Sequence, residues 1–444
     1  MNRGTRPRWS CAAAAASAIL LFSLVVPAAD QKQDQIDWAY AQKLYQKSQG
    51  GQTLTAEEQA YLDRAKQERQ KAAMSRPAAP TQPGQSDIDW NYAKQLMDKI
   101  NSGKTLTAEE RAYLEKAQQE RQKRMTGGSS RPSAFTQPTT TATGLIPLDQ
   151  MTDKDKYKGQ DGGLYGGGKN EPPEEHQKAA RKELARIVPL DAKGNPAADG
   201  KIALISIGMS NTTQEFSKFK ELADKDAAKS PQVTIVDGAQ GGQDAARWSD
   251  QDAPAWKVLD QRLQAAGVTL PQVQAAWVKH ARIGPASYGD FPKHAEELKD
   301  HILLSLQIAR QRFPNLRVAY LSSRIYAGYA STQLNPEPYA YESAFAVRWL
   351  IQDQIKGDAK LNCDASKGQV KAPLLLWGPY LWSDGLTPRK SDGLVWKRDD
   401  LAGDGTHPSM TAGREKVGEL LLTFFKTNPN AKGWFVKPGA TGKP

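Results

Sequence analysis

The sequence predicts an α/β fold in which a parallel sheet carries helices on both faces. After residue 201, short runs rich in Val, Ile and Leu alternate with helical stretches, and such runs are typical of strands buried on both faces. This alternation indicates βαβ units. The predicted strands are Ile202–Ile207, Val233–Val236, Val273–Val278, Arg317–Ser322 and Pro373–Trp377. The predicted helices are Phe216–Asp224, Pro254–Ala266, His294–Phe313, Tyr341–Gln354 and Ser409–Lys426.

Residues 1–28 have the composition of a secretory signal peptide. Arg3, Arg6 and Arg8 precede an apolar stretch, and small residues follow at Pro27–Ala29. The apolar stretch is short for a membrane span and no charged stop-transfer cluster follows it. We therefore expect a protein that is secreted, periplasmic or at the cell surface, with no stable transmembrane segment. Cleavage lowers the net charge from +11 to about +8.

The basic charge is dispersed along the chain rather than concentrated in one patch. Lys and Arg alternate with Glu in the helical stretches, which is typical of a solvated surface and does not indicate a nucleic-acid partner. Cys363 is the one cysteine after residue 28, so an intramolecular disulfide is excluded. Gly166–Gly168 lack the preceding strand and the following Lys-Ser/Thr of a phosphate-binding loop, so we expect no nucleotide cofactor.

Two copies of one sequence, 35–70 and 87–122, precede the globular part. Each copy predicts a helical hairpin, because two helical stretches flank a Gly-containing turn. The second helix of each hairpin starts at a capping box, Thr55–Glu58 or Thr107–Glu110. A hairpin this small buries little surface. Either it attaches the protein to a cell surface or to another protein, or it is a structured spacer.

Linkers rich in Pro, Ser, Thr and Gln follow the two hairpins, at 73–86 and 125–144. An irregular, glycine-rich segment at 145–200 is expected to pack over the domain that follows it. That domain, 201–430, contains the alternating strands and helices described above.

A serine directly follows the first predicted strand. The strand ends at Gly208-Met209-Ser210, and Asn211-Thr212-Thr213 has the composition of a helix cap. At this place a serine Oγ projects from the carboxyl edge of the sheet, beside backbone N–H groups that can stabilise an oxyanion. Serine is also an ordinary residue at such a turn, so a catalytic interpretation needs partners elsewhere in the chain.

Possible partners occur near the other end of the domain, in Gly403-Asp404-Gly405-Thr406-His407-Pro408. An Asp and a His three residues apart on a turn can face each other, and the carboxylate then orients the imidazole through Nδ1 and leaves Nε2 free. Pro408 suits the first position of the last predicted helix. The alternative is an ordinary turn followed by a helix cap.

These blocks resemble the SGNH (GDSL-type) hydrolase superfamily over Lys201–Asn428, including its sialate O-acetylesterase-like members. The resemblance implies a flavodoxin-like three-layer α/β/α fold and a Ser-His-Asp triad that needs no metal or cofactor. By this resemblance, Ser210 is the nucleophile, His407 the general base and then acid, and Asp404 the orienting carboxylate.

The resemblance also implies an oxyanion hole formed by the N–H groups of Ser210 and Gly242. The family normally adds an Asn side chain after the third strand, and here Lys279 stands roughly in its place. Lys279 either donates its ammonium to the oxyanion or pairs with an acid, and in the second case His280 is the polar group at the site. Met209 stands where the family usually has Asp.

Aromatic and polar residues crowd the loops expected at the same edge of the sheet, as a sugar-binding surface requires. The candidate substrate-binding residues are Arg324, Tyr326, Tyr341, Glu342, Tyr380 and Trp382. We therefore expect a serine esterase that removes acyl groups, in particular acetyl, from a carbohydrate. The alternatives are a lipid esterase or thioesterase on the same fold, and a glycan-binding protein without catalytic activity.

Overall fold

The computed structural model describes residues 142–439 without a gap. Ahead of them it describes 54–74 and 88–101, and shorter stretches at 36–37, 40–41, 44, 106–107, 109–110, 112–114 and 116–117. The predicted signal peptide and most of both predicted linkers lie outside the described residues. Contacts divide the chain into two units, Met1–Ser86 and Asp87–Pro444.

The first unit contains helix α1 (Ala56–Met74), which begins at the predicted capping box. Thr55 N donates to Glu58 Oε2 at 2.9 Å, and Glu58 N donates to Thr55 Oγ1 at 3.2 Å. The hydroxyl of Tyr61, on α1, accepts the backbone N–H of Asp37 at 2.8 Å. The second helix of the hairpin therefore holds Asp37, which lies at the start of the predicted first helix.

The second hairpin belongs to the second unit and repeats these contacts. It contains helix α2 (Trp90–Asn101), and the capping box between Thr107 and Glu110 has the same two bonds, of 2.9 and 3.2 Å. Both predicted capping boxes are thus confirmed. The hairpin has a small apolar core against which Met410 packs. The core residues are Ile88, Ala93, Leu96, Leu106, Leu114 and Ala117.

Five parallel strands form the sheet of the second unit, in the order β2-β1-β3-β4-β5. Their bounds are β1 (Ile202–Gly208), β2 (Val233–Val236), β3 (Val273–Lys279), β4 (Val318–Ser322) and β5 (Leu374–Trp377). Almost every residue of these strands is buried, which explains why apolar runs located each strand to within one residue. The predicted α/β class with a parallel sheet is confirmed.

Helices connect the strands and form two groups. Their bounds are α3 (Glu174–Leu184), α4 (Ser210–Lys225), α5 (Ala245–Trp248), α6 (Pro254–Ala265), α7 (Lys293–Arg312), α8 (Tyr339–Ile355), α9 (Gly413–Thr427) and α10 (Lys432–Phe435). Single 3-10 turns occur at Leu270–Gln272, Pro285–Tyr288, Ala359–Leu361, Ala365–Lys367 and Arg398–Asp400. Helix α4 packs against α9, whereas α7 packs against α5 and α8.

The strand order determines which face each group covers. The chain moves from β1 to its neighbour β2, then crosses back to β3 and continues outward to β5. Because crossovers between parallel strands are right-handed, α4 lies on one face of the sheet and α5 to α8 lie on the other. The direction of winding reverses at β1, and ligands bind at the carboxyl ends of strands at such a reversal. Ser210 directly follows β1.

Helix α4 begins earlier than predicted, at Ser210 rather than Phe216, and its N-cap residue is Met209, whose side chain makes no capping bond. Asn211-Thr212-Thr213 is therefore not a helix cap. Its hydroxyls bond outside the helix instead: Thr212 Oγ1 donates to the Lys279 carbonyl at 2.7 Å, and Thr213 Oγ1 donates to Asp237 Oδ2 at 2.6 Å. The polar residues join the start of α4 to the ends of β2 and β3.

Within the described part of the chain, no helix combines the length and the apolar composition that a membrane crossing requires.

Candidate active site

The three residues of the predicted triad lie in one hydrogen-bonded chain. Ser210 Oγ is 2.7 Å from His407 Nε2, and His407 Nδ1 is 2.5 Å from Asp404 Oδ2. A proton on Nδ1, bonded to the carboxylate, leaves Nε2 free to accept the proton of the serine hydroxyl. The structure thus brings Ser210, at the end of β1, together with two residues from the last loop of the domain.

The carboxylate of Asp404 is held in its ionised form. Its Oδ1 accepts the backbone N–H groups of Thr406 at 3.0 Å and His407 at 3.1 Å. Burial favours the neutral acid, but these hydrogen bonds and the facing His407 ring outweigh it, and they hold the pKa of the Asp404 carboxyl well below its ordinary value. Asp404 is therefore an anion that orients the imidazole throughout the neutral pH range.

A tight turn places Asp404 beside His407, and His407 lines a cleft that also contains Ser210. Ala402 N donates to the His407 carbonyl at 2.8 Å, and Gly405 N donates to the Ala402 carbonyl at 2.9 Å. Gly405 has a φ of +67°, and a Cβ there would collide with the backbone of Tyr329. The turn continues to residue 412, because α9 begins only at Gly413. The prediction that Pro408 starts this helix is wrong.

Two buried side chains hold the same turn from beneath. Asn211 Nδ2 and Arg324 Nη2 each donate to the Thr406 carbonyl at 3.0 Å. Arg324, a predicted substrate-binding residue, does line the cleft, although only 1 % of it is exposed. Its observed contact is therefore with the turn that carries His407.

The predicted oxyanion donors are the backbone N–H groups of Ser210 and Gly242, and both residues line the cleft. The first helical bond of α4 runs from Thr213 N to the Met209 carbonyl, so the N–H of Ser210 has no helical acceptor. Gly242 lines the same cleft with a φ of +75°, and a Cβ there would meet no atom within 4 Å. Both predicted backbone donors therefore lie at the cleft.

Lys279 does not reach this place, so the prediction that it completes the oxyanion hole is wrong. Its ammonium contacts both carboxylate oxygens of Glu215, at 2.6 and 2.5 Å, and neither side chain is exposed. Burial lowers the pKa of Lys279 to about 8, while the Glu215 carboxylate opposes the fall. The sequence alternative, in which Lys279 pairs with an acid, describes what the structure contains.

His280 is not the polar group of the cleft either. It is 2 % exposed, and neither ring nitrogen has a hydrogen-bond partner among the described residues. Burial, with a smaller contribution from His301, lowers the pKa of His280 to about 3. The ring is therefore neutral and buried, with its nearest aromatic neighbour, Trp248, at 6.4 Å between ring centroids.

The predicted aromatic platform for a sugar ring is wrong, because its members are core residues. Tyr326, Tyr341, Tyr380 and Trp382 are each at most 6 % exposed and do not line the cleft. Three of them bond internally. Tyr341 donates to the Ile146 carbonyl at 2.9 Å, Tyr380 accepts from Leu148 N at 3.1 Å, and Trp382 donates to Glu337 at 2.8 Å.

Glu342 is likewise occupied away from the cleft. Its carboxylate accepts from Tyr157 at 2.5 Å, from Lys158 at 2.8 Å and from His294 at 2.7 Å. The segment 142–200 thus supplies several of the partners that bury these candidate residues. This segment covers loops at the edge of the sheet that we predicted from the sequence to be exposed to substrate.

A cleft of about 310 Å³ contains Ser210 and His407. Its lining includes the apolar residues Met209, Ala281, Ile283 and Leu334 and the polar residues Asn211, Asp244, Arg282, Asn335 and Thr406. These polar residues were not among the site residues predicted from the sequence. The criterion that identified Ser210, a polar residue close behind a strand, also applies to Arg282, which follows β3, but not to Asp244, which lies further along the loop after β2.

Across the described residues, no group of three or more histidine, cysteine or carboxylate side chains is arranged to hold a metal ion. Burial raises the pKa of the Cys363 thiol to about 11, so this half-buried residue is a neutral thiol at neutral pH.

No protein-family model matches the chain, and no curated protein is detectably similar to it.

Proposed function

We propose that this protein is a serine esterase of the SGNH (GDSL) type that removes acetyl groups from carbohydrate outside the cytoplasm. The observation that carries the proposal is the unbroken chain of hydrogen bonds from Ser210 through His407 to Asp404, in a cleft at the reversal point of a parallel sheet. The strand order is also that of flavodoxin-like sheets, the three-layer α/β/α architecture of this superfamily.

The proposed reaction uses these residues as follows. Ser210 Oγ adds to the ester carbonyl carbon while its proton passes to His407 Nε2, and the resulting oxyanion is stabilised by the N–H groups of Ser210 and Gly242. The tetrahedral intermediate expels the alcohol, which takes the proton from His407. Water then adds to the acyl-enzyme with His407 again as base, and releases the acid and the free serine.

The size and lining of the cleft favour a short acyl group. About 310 Å³ is at the lower end of the range for small-molecule sites. Met209, Ala281 and Ile283 offer apolar contacts sufficient for an acetyl methyl group. The lipid esterase alternative therefore has less support, and a panel of acyl chain lengths tests it. Preference for long chains would contradict the acetyl assignment.

Acetate release from acetylated polysaccharides, with Ser210→Ala as the inactive variant, tests the proposal. The variant should lose activity by about 10⁴-fold or more while its melting temperature is preserved. Ser249→Ala is the matched control, because Ser249 Oγ also lies 2.8 Å from a histidine nitrogen, that of His301, but does not line the cleft. Full activity in Ser210→Ala would refute the assignment of Ser210, whereas no acetate release by the native protein would favour a glycan-binding protein without catalytic activity.

The hairpins enter the proposal as attachment modules for a cell surface or another protein. Each is a small helical hairpin followed in the sequence by a predicted Pro-, Ser-, Thr- and Gln-rich linker, and Met410 packs against the core of the second.

A further inference from the structure

A second set of polar side chains lines the cleft but takes no part in the hydrogen-bond chain of Ser210. Asp244 follows β2, Arg282 follows β3, and Asn335 lies in the loop after β4. Their exposed fractions are 7, 8 and 5 %. We call these three side chains the polar wall. Burial of such groups is costly unless they are hydrogen-bonded, so their partners indicate what they do.

The bonds within the polar wall use only part of its hydrogen-bonding capacity. Arg282 Nη1 donates to Asp244 Oδ2 at 3.2 Å, and Arg282 Nη2 lies 3.4 Å from Glu297. Both distances exceed the roughly 2.7–2.9 Å typical of charge-assisted bonds. Asn335 Nδ2 donates to the Arg282 carbonyl at 3.1 Å, which fixes the orientation of the amide. Asn335 Oδ1 and Arg282 Nε are both buried, and neither has a hydrogen-bond partner among the residues described.

The polar wall is continuous with the turn that carries the catalytic pair. Ser331 N donates to the Asp404 carbonyl at 2.9 Å, and Gly284 N donates to the Leu334 carbonyl at 3.0 Å. The loop 331–335 therefore runs from Asp404 to Gly284, in the loop that follows β3. A ligand that reaches Ser210 is thus within the same cleft as the polar wall.

The donors and acceptors of this wall match hydroxyl groups. A hydroxyl both donates and accepts, and the wall offers a guanidinium donor beside an amide acceptor, while the Asp244 carboxylate already accepts from Arg282 and from the backbone N–H groups of Arg247 and Ile283. An apolar chain would leave these groups unpaired. An anionic group is also a poor match, because Arg282 already faces the carboxylates of Asp244 and Glu297.

We propose that the polar wall binds the alcohol half of the ester, and that this half is a neutral, hydroxyl-rich sugar. Arg282 donates to one hydroxyl, and Asn335 Oδ1 accepts from another. This assignment rests on the proposed esterase function, since it concerns the part of the substrate that leaves when Ser210 is acylated.

Kinetics with two kinds of acetyl ester test the proposal. One is a panel of O-acetylated neutral oligosaccharides, and the other is para-nitrophenyl acetate, which has no sugar hydroxyls. For Asn335→Ala and for Arg282→Lys, the ratio of kcat/KM for the sugar esters to kcat/KM for para-nitrophenyl acetate should fall about tenfold, mainly through KM. Ser249→Ala, outside the cleft lining, should leave the ratio unchanged.

An equal fall for both substrates would mean that the wall is only structural, and would overturn the proposal. Preference of the native protein for esters of acidic sugars would overturn it as well. Titration calorimetry of Ser210→Ala with the deacetylated oligosaccharides separates the two proposals. Binding that Asn335→Ala abolishes supports the sugar subsite even if no ester is hydrolysed, whereas absence of binding in an active esterase refutes the subsite alone.

Discussion

Removal of the Glu215 carboxylate should destabilise the protein strongly, because it would leave the ammonium of Lys279 buried without a counter-charge. The two groups contact each other through both carboxylate oxygens, and both side chains are fully buried. Breaking a buried pair of this kind costs about 3–5 kcal/mol. Glu215→Leu should therefore lower the free energy of unfolding by that amount. Asp224→Asn on the same helix removes an exposed carboxylate that pairs with Lys220 and Lys229, and should cost less than about 1 kcal/mol.

The double variant Glu215→Leu/Lys279→Met separates the structural role of Lys279 from a catalytic one. It removes both charges and should recover most of the stability lost in Glu215→Leu, because well-packed apolar residues replace buried ion pairs at little cost. Urea unfolding of the two single variants and the double variant gives the coupling energy.

Activity of the double variant supplies the second criterion. Since Lys279 contacts Glu215 and not the cleft, kcat of the folded double variant should stay within a few-fold of the native value. A loss of about 10²–10³-fold, as expected for a missing oxyanion donor, would refute this account of Lys279. Equal costs for Glu215→Leu and Asp224→Asn would refute the buried pair itself.

Two further predictions concern His280 and Gly405. The folded protein binds no proton at His280 until about pH 3, whereas the unfolded chain binds one near pH 6.5, so stability should fall by about 5 kcal/mol as the pH drops through this window. In His280→Leu, the free energy of unfolding measured by urea titration should no longer show this fall between pH 6.5 and pH 3. The same pH dependence in the variant and the native protein would contradict this prediction. Gly405→Ala should lower kcat, because the new Cβ would collide with the backbone of Tyr329 and displace the turn that carries Asp404 and His407. Gly393→Ala, with a similar φ but open space, is the control, and equal kcat in both would contradict the reasoning.

The sequence locates the five strands to within one residue because each is buried on both faces and reads as a continuous apolar run. The start of α4 was misplaced for a physical reason. Thr212 and Thr213 resemble capping residues, but their hydroxyls bond to β3 and to the residue after β2, contacts that no local pattern reveals. The proximity of Ser210, His407 and Asp404 was predictable because strand ends and the last loop meet at one edge of the sheet.

The substrate-binding residues were not predictable in the same way. Tyr341 and Glu342 have the composition of a sugar site, but Tyr157 and Ile146 of the segment 142–200 bury them through contacts across more than 180 residues. Lys279 was misassigned because its partner, Glu215, lies on the facing helix α4 and far away in the sequence. Tertiary packing, rather than local composition, decides which polar residues are left to face the cleft.

Covalent labelling by a fluorophosphonate, followed by peptide mapping, tests the central claim most directly. If Ser210 is a nucleophile activated by His407, one phosphonyl group should be found on the peptide that contains Ser210. The label should be lost in His407→Ala and retained in Ser249→Ala. Absence of label from Ser210 in the folded native protein, or label of equal intensity in His407→Ala, would contradict the account.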